Sequence, residues 1–263
     1  MAKLFVSTML YAASKRLGYM QATQELMRQA SSLDPKSDDH PGIPAALTIA
    51  RLVPLEEIQL NVNAGATVIG KARSLAAREF MASDADVWLS CDDDVSASTD
   101  ALRAAISQAR AEPCLVVVPC LLRSTVMQSS GRPIVNLVSG AVTVQDRAPS
   151  GGKLESIHAG GFGCFAASRA VVQRVHESAG EAADFKHEGA MVRSLFRDEI
   201  IDHEWVTEDL AFCRRLAVLG FRRWAVRVGT SVHAGQRLDL ATLDALVSHA
   251  GALDPKRVKQ LVG

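Results

Sequence analysis

Residues Asp86–Val95 read DVWLSCDDDV, a short apolar run that ends in three consecutive aspartates. Val87, Trp88 and Leu89 are the β-branched, aromatic and aliphatic types that suit a buried strand. Asp92, Asp93 and Asp94 each carry about one negative charge at neutral pH, and carboxylates so close repel unless a cation or a hydrogen-bond donor compensates them. In open α/β sheets ligands gather beyond the carboxyl ends of the strands, which is where this run delivers its triplet. Hard divalent cations prefer oxygen ligands and commonly take one or two carboxylates while substrate phosphates complete the shell, an arrangement that suits Asp92 and Asp94. The same triplet would also serve as an exposed acidic turn ahead of a helix, although Ser96 and Ser98 already supply caps there.

Outward from this run, strands and helices alternate. Lys3–Thr8 is β-rich, and Leu17–Ser31 has helical apolar spacing. Ser31–Pro44 holds the Pro, Gly, Asp and Ser of a loop, and AALTIARL after it reads as a second strand. Ala72–Ala82 holds strong helix formers, Ala101–Ala111 is again helical, and CLVVVP (Cys114–Pro119) has the β-branched run of a central strand. Pro133–Gln145 resembles a hairpin around Ser139 and Gly140, and DRAPSGGK after it a loop. Ser168–Glu177 and Thr207–Leu219 are helical, RRWAVRV is a late strand, and Leu240–Gly263 is a helical tail. This alternation predicts an α/β fold with a mostly parallel sheet covered by helices on both faces. One domain over 1–235 with a C-terminal helical extension over 236–263 is the expected division.

The 263 residues are nearly half apolar, enough for a sizeable core. Lys plus Arg and Asp plus Glu both total 29, so no global field draws the chain to nucleic acid or to an anionic membrane, and any polyanion site is local. The five cysteines lack CxxC spacing and mostly sit in apolar stretches, which predicts buried free thiols rather than disulfides or a zinc site. No stretch is apolar enough to span a bilayer, and a cytoplasmic location is expected.

The segment KARSLAAREFMASDADVWLSCDDDV (Lys71–Val95) resembles the helix, strand and DxD motif of family 2-like GT-A fold glycosyltransferases, in particular the small stand-alone type of bacteria and their phages. The resemblance implies a GT-A fold, a nucleoside diphosphate sugar donor and a divalent metal, Mn²⁺ or Mg²⁺. It places Arg73 against the nucleotide base, with Ser74 where the family usually has Asn. Asp92 would approach the ribose and Asp94 would ligate the metal, with Thr8 and Asp93 also on the donor side. HAGGFGCFAASRAVV (His158–Val172) is similar to the family's glycine-bearing turn, strand and helix, which brings Gly160, Gly161 and Phe162 to the nucleotide sugar. WVTEDLAFCRRLAVLGFRRWAVRVGTSVHAG (Trp205–Gly235) looks like the family's Glu-Asp helix and its late histidine. By that likeness Asp209 is the catalytic base of an inverting enzyme, Glu208 lies beside it near the acceptor, and His233 completes the metal shell. The Asp that often follows the second strand in the family is absent here, which leaves UDP- and GDP-sugars open as donors. Acceptors in the family range from glycans to proteins and nucleic acids.

Each block has a plainer use. Glu208 and Asp209 would stabilise the helix dipole behind a Thr207 cap, the glycines would make a tight turn, and His233 would be structural. Asp202, His203 and Glu204 would line an acceptor site or sit in a solvated loop. Two other functions fit the same carboxylates: a nucleotidyltransferase, which releases pyrophosphate, and a nucleotide-sugar or glycan-binding module without turnover.

Overall fold

The computed structural model describes residues 3–10, 58–64, 68–92, 95–121, 137–139, 153–233 and 236–242. The expected helix over Leu17–Ser31, the loop over Ser31–Pro44, the strand AALTIARL, the DRAPSGGK loop up to Gly152 and the tail beyond 242 lie outside these residues, as do Asp93 and Asp94.

The architecture is mixed α/β. The central sheet has the order β2-β1-β3-β8-β5-β13-β7-β6. Its strands are β1 (Leu4–Leu10), β2 (Ile58–Ala64), β3 (Val87–Asp92), β5 (Cys114–Val117), β6 (Leu137–Ser139), β7 (Leu154–Gly160), β8 (Cys164–Ser168) and β13 (Arg222–Val226). The expectation of a mostly parallel sheet is corrected. β1 pairs in parallel with β2 and β3, and β5 with β13, but β8 runs antiparallel to both β3 and β5, and β7 antiparallel to β13 and β6. CFAAS, the sequence of β8, is buried throughout. A strand covered on both faces carries no alternation, and its composition does not encode its direction.

Helices cover both faces. They are α1 (Ile69–Ala82), α2 (Thr99–Ala111), α3 (Arg169–Ser178) and α4 (Glu208–Val218). The alternation within β3 assigns them: Val87, Leu89 and Cys91 face a cluster with Ala101, Leu102, Ala105 and Ile106 of α2. Trp88 points the other way, into a cluster with α1, α3 and α4. Its indole N–H donates to Ser7 Oγ at 2.7 Å, so the one polar atom of this fully buried ring is satisfied. Around it Phe165 and Phe196 meet the ring edge-on at centroid distances of 5.0 and 5.7 Å, and Phe196 stacks on Phe212 of α4 at 4.5 Å. Burial of this kind makes truncation of Trp88 to alanine worth about 3–5 kcal/mol.

Three smaller pairings complete the described chain. β9 (Asp184–His187) and β10 (Ala190–Arg193) form one hairpin, and β11 (Glu199–Ile201) and β12 (Glu204–Val206) another. Both close through two-residue turns, Glu188-Gly189 and Asp202-His203, with positive φ at every central residue as a type I′ turn requires. The run containing Asp202, His203 and Glu204 is therefore a hairpin tip. β14 (Thr230–His233) pairs with β15 (Gln236–Asp239) on one side and with β4 (Val95–Ala97) on the other. Gln236–Asp239 thus continues the hydrogen bonding of the main body, and Leu240–Thr242 after it is a short 3₁₀ turn.

Candidate functional site

The three sequence blocks meet at the carboxyl end of β3. Thr8 of β1 lies opposite Cys91 in register, and Met9 opposite Asp92. The Asp92 N–H donates to Gly163 O at 2.8 Å, which ties the aspartate run to the glycine-bearing turn between β7 and β8. Gly163 is closely packed: a Cβ there would lie 3.1 Å from Val95 Cγ2 and 3.4 Å from Cys120 Sγ, so a larger residue would have to push the Val95 side chain aside. Cys91 and Cys164, register partners across β3 and β8, are reduced thiols with their sulfurs 3.1 Å apart, and the other three cysteines are likewise buried and outside any disulfide.

Arg73 is the centre of this end. It sits on α1 and is only 2% exposed. Its Nη1 donates to Glu208 Oε1 at 2.6 Å, and its Nη2 reaches both carboxylate oxygens of Asp92 at 3.1 and 3.2 Å and the carbonyl of Phe162 at 2.8 Å. Nε finds no partner among the described residues. The first turn of α1 is held by the segment ahead of β11: a Cβ on Gly70 would come 2.4 Å from Phe196 O, so only glycine permits that approach. Ser74 Oγ donates to Gly70 O at 2.8 Å and accepts from Phe196 N at 3.1 Å. The Phe162 ring belongs to the aromatic core, 4.8 Å from Phe165 by ring centroids, and its carbonyl is what this turn gives to Arg73.

Glu208 and Asp209 open α4 and point to different surroundings. Burial is the main reason the Glu208 carboxyl is pushed above the ordinary carboxylate range; neighbouring Asp209 adds to the rise, Arg73 opposes it, and Asp198 contributes last. Asp209 is half-buried and accepts from the backbone N–H of Leu210 at 2.8 Å and from the Thr207 hydroxyl. Thr207 therefore spends its hydroxyl on Asp209 and makes no side-chain cap to the helix backbone. Ser98, the other expected cap, likewise makes none for α2 and instead accepts from the backbone N–H of Thr230 at 3.0 Å.

His233 enters from β14, where it lies directly opposite Val95, the residue that follows Asp94. Its Nδ1 hydrogen-bonds with Leu121 O. A neutral ring that donates from Nδ1 carries its lone pair on Nε2, the usual way a backbone carbonyl orients a ligating histidine. Imidazole nitrogen with carboxylate oxygen is a donor set that suits Mn²⁺ or Mg²⁺ with phosphate oxygens beside it. Among the described residues no group of three or more His, Cys, Asp or Glu side chains is assembled for a metal.

The meeting of Arg73 with Glu208 and the Phe196 segment, and of His233 with Leu121, escaped the sequence reading. The glycine, arginine and serine of IGKARS are the local signals of the first, and nothing local signals the second.

No family model matches the chain, and no curated protein matches it. Among solved structures it is similar to A197 from STIV, at 12% identity and a TM-score of 0.46, over 89% of this chain and 85% of that one. It is also similar to CMP:2-keto-3-deoxy-manno-octonic acid synthetase complexed with CTP, at 12% identity and a TM-score of 0.41, over 94% of this chain and 99% of that one. Neither likeness brings an activity with it. Among the described residues no helix is long and apolar enough to cross a membrane.

Proposed function

We propose that this chain is a metal-dependent GT-A glycosyltransferase that moves a sugar from a UDP- or GDP-sugar to an acceptor hydroxyl. The observation that supports the reading is the pairing of His233 with Val95, the first residue after the aspartate run in the sequence. Asp94 and His233 would hold Mn²⁺ or Mg²⁺, and the bound metal would neutralise the charge that develops on the departing diphosphate. Asp92 faces the ribose, and Thr8, Asp93, Gly160, Gly161 and the Phe162 backbone shape the donor side. Asp209 takes the proton of the acceptor hydroxyl as its oxygen bonds the anomeric carbon and the bond from that carbon to the diphosphate breaks. A base on the acceptor side favours inversion of the anomeric centre.

Calorimetric titration with a panel of nucleoside diphosphates, each with Mn²⁺ and again with chelator, tests the donor site. The expected result is metal-dependent binding of one nucleotide that disappears in Asp94→Asn. If no nucleotide binds, the triplet is a solvated turn and the proposal falls. Asp209→Asn is expected to bind the nucleotide normally and to lose transfer by about 10²-fold or more, with its melting point unchanged. Release of pyrophosphate in place of nucleoside diphosphate would make the enzyme a nucleotidyltransferase.

A further inference from the structure

Arg73 is placed by sequence resemblance against a nucleotide base, but its surroundings give it different work. Nearly all of its surface is buried, and both terminal nitrogens are committed within the protein. Its partners come from three parts of the chain: the end of β3, the β7–β8 turn and the first turn of α4. The helix that carries it is itself fixed by Gly70 and Ser74 against Phe196. We infer that Arg73 is a positioning residue, a buried counter-ion that fastens Asp92 on the donor side to Glu208 beside the proposed base. The assignment of donor and base rests on the proposed function; the bracket itself does not.

The charges around Glu208 explain why a cation is needed there. Asp209 lies next to it on α4 and Asp198 approaches from the segment before β11, both acidic, while Asp92 lies on the far side of the guanidinium. Arg73 is the cation that faces it, from α1. A carboxylate taken out of water beside two others holds its charge only while that cation is present. Lysine keeps the charge but lacks the planar fork that reaches two carboxylates at once.

The test compares the wild type with Arg73→Met, Glu208→Gln and the double variant, by thermal melting without ligand at about pH 5 and about pH 8. Removing the cation alone leaves Glu208 buried without its counter-charge, so the Arg73→Met penalty is expected to be larger at the higher pH by about 5 °C. Adding Glu208→Gln is expected to recover at least half of the loss at that pH. If Arg73→Met does not fold, folding of the double variant is the supporting result. An equal penalty at both pH values without recovery, or failure of both variants to fold, overturns the bracket. Titration of the same proteins with Mn²⁺ and UDP or GDP separates the two ideas: recovery in melting with no nucleotide binding by the wild type keeps the bracket and removes the donor site.

Discussion

Two arginines flank the same helix and do opposite things. Arg169, the first residue of α3, lies against the last turn of α1 with its guanidinium 4.7 Å from the centroid of the Phe80 ring. It donates to the carbonyls of Phe80, Met81 and Ser83 at the end of α1, where a helix leaves carbonyls without an intrahelical partner, and to that of Ala85 in the connection beyond. Arg73, at the other end of α1, spends its donors on two carboxylates and one carbonyl. The first closes a helix and faces neutral oxygens; the second gathers charges that would otherwise repel. A guanidinium that spends its donors within the fold is therefore not diagnostic of function by itself, and the charge of its partners is what separates a cap from a site.

Arg169→Met should lower the stability of the fold and leave the site alone. Its loss leaves several carbonyls without a donor and is expected to cost about 3 kcal/mol, a fall of about 10 °C in the melting point. Nucleotide affinity measured well below that temperature should stay within about twofold; a larger loss would erase the distinction between the two ends. Arg73→Met should weaken Mn²⁺–nucleotide binding by about tenfold or more, since the donor-side carboxylate loses its partner. Calorimetry that finds unaltered affinity would make Arg73 a second structural cap. Arg73→Lys should fall between, at about 1 kcal/mol of stability, because the charge survives and the fork does not.

The smallest effect sharpens the electrostatic side of the contrast. Glu208 is raised in the folded state, so between its unfolded and folded values the native protein holds the extra proton, and stability falls as pH rises through that window. Above the folded value the cost is fully present, and below the unfolded value it is absent. Glu208→Gln should flatten that part of the pH–melting curve, while Arg169→Met should leave its shape as it is.

The sequence made the strand–helix alternation, the aspartate run and the Glu-Asp helix legible, because each has a local pattern. β2 is absent from the sequence expectation although IQLNVNA alternates apolar and polar residues, as an edge strand does. The run Asp202–Glu204 reads as a loop because its turn, Asp202-His203, joins strands of only three residues. Pairing direction is a tertiary property: β8 would look the same beside β3 in either orientation. The same holds for Arg73, whose position was legible and whose partners were not. Glu208 lies 135 positions further along the chain, and no window of sequence contains both.

That separation also sets an order of events during synthesis. Closing a loop so long carries an entropic cost that local contacts do not, so the bracket forms after the sheet that brings its ends together. When a nascent chain has just released α1 and β3, Arg73 and Asp92 can already meet, but the second carboxylate has not been made. The cluster is thus completed by one of the later helices to leave the ribosome, and a chain stopped before Glu208 would carry Arg73 and Asp92 without the second carboxylate that the guanidinium binds.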